Sequence, residues 1–165
     1  MRTLFILLFL PVSVLFGQVE DSFSDGDFTD NPAWVGMTDY FRIDPQSGSL
    51  QLYAPSEAGI AWIFTKSSAI EEAVWECAFR MGFNPSANNY ARVYLTANEP
   101  DINLMTSSYY LVLGTTADNV SLWHNMDGKH TRLIDGVARR LDFNNVTGRL
   151  RVTRNKGGVF TLETN

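Results

Sequence analysis

Val74-Trp75-Glu76-Cys77-Ala78-Phe79-Arg80-Met81-Gly82-Phe83 decides the fold class of this chain. Trp75, Cys77, Phe79, Met81 and Phe83 alternate with Val74, Glu76, Ala78, Arg80 and Gly82. Period-two alternation puts the first set on one face of a β-strand and the second on the other. One face is therefore buried and one partly wet, as in an antiparallel sheet. The five residues of the apolar face are expected to anchor the core, and Phe79→Ala is expected to cost about 3 to 5 kcal/mol by cavity formation. Cys77, on that same face, reads as a small buried apolar residue rather than a nucleophile.

The same alternation recurs along the chain. Strands are expected at Tyr40 to Ile43, Leu50 to Tyr53, Ile60 to Phe64, Val74 to Phe83, Tyr90 to Thr96, Tyr109 to Gly114, Val120 to His124, Lys129 to Ile134, Gly148 to Arg154 and Val159 to Glu163. Turn residues separate them, and no stretch shows helical periodicity. Asp127-Gly128 is the strongest hairpin signal, because both residues accept the positive φ of a tight two-residue turn. Asn155-Lys156-Gly157-Gly158 reads as a second hairpin loop, Ser47-Gly48 and Asp135-Gly136 as weaker turns, and Asn84 to Asn89 as a longer surface loop. Short strands without helices or repeats predict two antiparallel sheets packed face to face, in preference to a barrel.

Composition bounds what such a domain can do. The chain has 165 residues, 45% hydrophobic and 19% charged, with a net charge of -5. That composition supports one sizeable core and excludes disorder, collagen and coiled coil. The acidic balance argues against nucleic acid as the partner. Arg2, an apolar run from Leu4 to Phe16 and small Gly17 make Met1 to Gly17 a secretory signal peptide, too short for a membrane span. Residues 18–165 are then one exported, acidic β-domain. With Cys77 alone, no intrachain disulfide is available.

Chemical motifs are sparse. The segment Glu20 to Asp30 holds carboxylates around Gly26, and Asp25 and Asp27 could give oxygen ligands to Ca²⁺. The rival reading is a solvated segment whose Phe23 and Phe28 dock on the sandwich. A glycosidase needs two carboxylates across a groove. Glu71-Glu72 and Glu76 form no such pair, and Asp39, Asp44, Glu99 and Asp101 read as turn and solvent residues. His124 and His130 flank a hairpin without a third zinc ligand. No nucleophile elbow, phosphate loop or HExxH is present, and no catalytic residue is assigned. Sequons at Asn119 and Asn145 would be used only in a eukaryotic secretory pathway.

Aromatics interleaved with polar groups remain. Tyr90, Arg92 and Tyr94 alternate on one strand face, Tyr109 and Tyr110 lie in a second strand and Trp123 in a third. Such a face binds sugars when a ring stacks on a pyranose while polar groups bond its hydroxyls. Ordinary cross-strand packing gives the same pattern. Tyr90, Arg92, Tyr94 and Trp123 are the candidate ligand-binding residues.

Three segments carry a resemblance: Asp25-Gly26-Asp27-Phe28-Thr29 with Asn31-Pro32-Ala33-Trp34, then Phe83-Asn84-Pro85-Ser86 with Asn89-Tyr90-Ala91-Arg92-Val93-Tyr94-Leu95, and Arg151-Val152-Thr153-Arg154 with Gly158-Val159-Phe160-Thr161-Leu162. Together they resemble the N-terminal concanavalin A-like (LamG-like jelly-roll) domain of secreted Bacteroidota surface proteins, often found with lamin-tail or C-terminal sorting domains. The resemblance implies a jelly-roll sandwich, placement outside the cell or at its surface, and a non-catalytic role. Such domains continue for further strands, so the chain is expected to lack its last strands and to be followed by more domains beyond residue 165. Laminarinase-type glucanases of the wider fold carry an E-x-D-x-x-E strand motif without a match here. The resulting expectation is a carbohydrate-binding or adhesion module, with a structural spacer and an accessory part of a polysaccharide hydrolase as alternatives. Fold alone does not supply function.

Overall fold

A computed structural model describes residues 19–165. The expected signal peptide, Met1 to Gly17, lies outside the described residues. Every regular element is a strand apart from two single-turn 3-10 segments, and all strand pairs are antiparallel. No helix among the described residues is long and apolar enough to cross a membrane. The chain divides into two units, Met1–Ser68 and Ala69–Asn165.

The first unit carries two small ladders. β1 (Val35–Gly36) pairs with β4 (Ile63–Phe64), and β2 (Phe41–Ile43) pairs with β3 (Leu50–Leu52). β1 was not foreseen, since two residues show no alternation, and the expected Ile60 to Phe64 strand shortens to its last two residues. The Ser47-Gly48 turn is present: the Gly48 N–H donates to Asp44 O at 2.8 Å and Ser47 Oγ donates to Asp44 Oδ2 at 2.6 Å. Asp21 ties down the N-terminal segment by accepting from Trp34 Nε1 at 2.8 Å, and Phe23 lies 5.9 Å from the Trp34 ring.

The second unit is sandwich-like. β5 (Ala73–Met81) crosses through the 82–90 loop into a four-stranded meander of β6 (Ala91–Ala97), β7 (Ser107–Gly114), β8 (Asn119–Met126) and β9 (Lys129–Asp135). The chain then returns to place β10 (Val146–Arg154) between β5 and β11 (Phe160–Thr164). The two sheets share one core: Leu95, Leu111, Leu113, Val120 and Leu122 from the meander meet Met81, Val146, Leu150 and Val152 from the other sheet. Burial of these side chains, at about 1.5 to 3 kcal/mol each, drives the pairing of the sheets.

Both expected hairpins form. Asp127 and Gly128 have φ of 52° and 79°, the left-handed pair that a tight turn requires, and Met126 faces Lys129 across it. In the second, Asn155 Oδ1 accepts the Val159 N–H at 2.9 Å. The expectation for the β5 apolar face needs correction. Its alternation is as read, but only Met81 is fully buried, while Trp75, Cys77, Phe79 and Phe83 are half-buried. β5 is the edge of its sheet among the described residues, with β10 beside it on one side alone, and the Phe79 ring borders open clefts. The deepest residues, Leu111, Leu113, Leu122 and Val152, lie on β7, β8 and β10, which have a strand on both sides.

Candidate functional site

The outer face of the four-stranded sheet holds the aromatic residues. Register places Tyr94 of β6 opposite Tyr110 of β7, Tyr110 opposite Trp123 of β8, and Trp123 opposite Arg132 of β9. Cross-strand partners share a face, so these four side chains form one row across the sheet. The alternate residues Val93, Leu111 and Leu122 point inward to the core. The register therefore puts Trp123 on the face that Tyr90, Arg92 and Tyr94 share by alternation, two strands away from Tyr94, about 10 Å along the sheet.

Tyr110 is the floor of the site. It is buried, stacks on Tyr94 with ring centroids 5.1 Å apart, and its hydroxyl shares a 2.8 Å hydrogen bond with His130 Nδ1. Burial pushes the Tyr110 pKa up, against the field of Arg92, which lowers it. Above the floor, Arg92 is held by two phenols: Nη2 donates to Tyr90 Oη at 3.0 Å and Nη1 to Tyr94 Oη at 3.4 Å. Its guanidinium lies 5.5 Å from the ring centres of both Tyr90 and Tyr110, in cation–π range. Burial opposes the Arg92 charge, but the hydrogen bonds and fields of Tyr94 and Tyr90 outweigh it and raise the pKa. At the far side, Arg132 sits 5.7 Å from the Trp123 ring and pairs with Asp135 at 3.2 Å, while Trp123 Nε1 donates to Ser121 Oγ at 2.8 Å.

Sequence reading missed Tyr110, His130 and Arg132 as members of this face. Tyr109 and Tyr110 were equivalent by sequence, and only the register separates them. Tyr109 points inward, stacking on His124 at 4.4 Å and packing on Phe160 at 4.7 Å. His124 and His130 consequently lie on opposite faces of the hairpin and make no pair.

The other sequence candidates have local partners. Asp25 Oδ1 accepts from the Asp27 N–H at 3.2 Å, and Asp27 Oδ1 accepts from the Thr29 N–H at 2.9 Å and Thr29 Oγ1 at 2.7 Å. The Thr29 backbone and hydroxyl bonds hold the Asp27 pKa below its ordinary value. Among the described residues no three His, Cys, Asp or Glu side chains converge as metal ligands. Asn119 is buried, its amide donating to Asp135 Oδ1 and Gly136 O at 2.9 Å, whereas Asn145 is exposed. Two clefts, of about 250 and 410 Å³, adjoin Phe79, Thr147 and Asn165, with Arg140 and Arg149 as their charged walls. Neither is lined by an Asp, Glu, His or Cys side chain, so neither presents a side-chain acid–base pair.

Comparison with protein-family models, curated proteins and solved structures finds no match to this chain.

Proposed function

We propose that this protein is an exported, non-catalytic carbohydrate-binding module of a larger extracellular or cell-surface protein, with a concanavalin A-like jelly-roll fold, binding glycan on the outer face of β6–β9. The observation that carries this reading is the fixed array of Tyr90, Arg92 and Tyr94 over Tyr110. A sugar ring needs an apolar plane for its C–H face and oriented donors for its hydroxyls, and the array supplies both. Its rotamers are tied by hydrogen bonds before any ligand arrives, which lowers the entropy cost of binding. The sandwich-like arrangement of antiparallel sheets and the signal-peptide pattern of Met1 to Gly17 support the fold and the export route.

The test is a glycan array probed with the full chain and with Tyr94→Ala. Tyr94 is half-buried and packs on the face rather than in the core, so the variant stays folded and loses at least tenfold in affinity for whatever the parent binds. A parent that binds no glycan on the array refutes the reading and favours a structural spacer. Sugar release from polysaccharide by the full-length protein would instead place the domain beside a hydrolase.

A further inference from the structure

We infer that the outer face selects sugars bearing an anionic group, and that Arg92 is the residue that selects them. This rests on the carbohydrate reading above and names the class of sugar. A guanidinium carries five N–H donors. Two of those on Arg92 go to Tyr90 and Tyr94, which leaves Nε–H and one N–H on each Nη. No carboxylate pairs with Arg92 among the described residues, whereas Arg132, Arg139 and Arg151 each have an Asp or Glu partner. The two neutral phenols that orient Arg92 fix its plane without cancelling its charge.

The rest of the face leaves that charge standing. Arg132 is matched by Asp135 on the same face, and His130 is engaged with the Tyr110 hydroxyl. One immobilised, uncompensated guanidinium beside stacked rings is thus the dominant charge of the array. Its three remaining N–H groups can donate to the oxygens of a carboxylate or a sulfate, and the rings of Tyr90 and Tyr94 supply apolar planes beside it for a pyranose. The chain as a whole is acidic, with a net charge of -5, but charges farther apart than about 8 Å are screened at physiological salt. Recognition is therefore a contact effect at Arg92 and not long-range attraction.

The experiment uses the full chain on an array that holds neutral, uronic-acid and sulfated glycans, followed by calorimetric titration of the best acidic binder against its carboxyl-reduced or desulfated form. The expected result is that the acidic form binds at least tenfold tighter, and that Arg92→Gln brings the two forms within twofold at an unchanged melting temperature. If Arg92→Gln melts lower, the comparison of acidic and neutralised glycan on the parent protein carries the test by itself. Uronate and sulfate arms that respond alike to Arg92→Gln assign the shared anionic chemistry, and a response confined to one names the group. Equal binding of acidic and neutral forms overturns this inference and leaves the carbohydrate reading intact, as does a preference that survives Arg92→Gln. Silence across the whole array removes both.

Discussion

Leu122→Ala is expected to destabilise the second unit by more than Phe79→Ala, the reverse of what side-chain size suggests. Leu122 is 0% exposed, with Leu111 and Ile134 as its cross-strand neighbours. The substitution removes three carbons, worth about 0.8 kcal/mol each, or about 2.4 kcal/mol in transfer free energy. An enclosed site closes only partly, so the residual cavity raises the total to about 3 to 4 kcal/mol. Phe79 is partly buried and its ring borders both surface clefts. Roughly two thirds to nine tenths of a full aromatic burial of about 3 kcal/mol is about 2 to 2.7 kcal/mol, and a space already open to water adds little. Urea unfolding followed by tryptophan fluorescence reads the difference. With an m-value of about 2 kcal/mol/M, the midpoint falls by about 1.5 to 2 M for Leu122→Ala and by about 1 to 1.4 M for Phe79→Ala. A Phe79→Ala loss equal to or larger than that of Leu122→Ala would refute the assignment of β5 as a half-covered edge.

Three further outcomes follow from local geometry. Burial raises the Cys77 thiol pKa, so alkylation by iodoacetamide at pH 8 is expected to run at least tenfold slower in native than in urea-unfolded protein; equal rates would move Cys77 off the inner face. Gly114 has φ of 109°, and a Cβ there would collide with the Pro85 ring, so Gly114→Ala is expected to cost about 2 kcal/mol in a thermal melt through strain and clash. Asp142 is held below its ordinary pKa by the Asn84 amide and by Arg139. A depressed folded pKa contributes stability above the unfolded value, and that contribution is lost as pH falls through the folded one. The urea midpoint should therefore drop below about pH 4, with a shallower drop in Asp142→Asn.

Most of the strand pattern was legible because burial on one face writes period-two alternation directly into sequence. All ten expected strands exist, within a few residues of their limits. Val35–Gly36 was invisible because a two-residue ladder has no period. Burial depth was misjudged on β5, since alternation reports which face turns inward but not whether a strand has neighbours on both sides; that depends on β10, far away in sequence. The site shows the same division. Tyr90, Arg92 and Tyr94 share a face by parity alone, but only pairing tells Tyr110 from Tyr109, because one residue of register exchanges the two faces of a strand.

The return of the chain from the meander to β5 has a consequence for synthesis. β6, β7, β8 and β9 each meet their partner as soon as the next hairpin closes. β5 cannot, because its partner residue for Met81 is Val146, 65 residues later. Ala73, at the other end of β5, waits 81 residues for Arg154, so at about 5 to 20 residues per second the nine residues of β5 wait about 3 to 16 s for β10 to be made. Through that interval the backbone N–H and C=O groups of β5 have no partner strand, which marks β5 as the segment most in need of a holding chaperone, and its charged outer residues Glu76 and Arg80 as the brake on association between nascent chains.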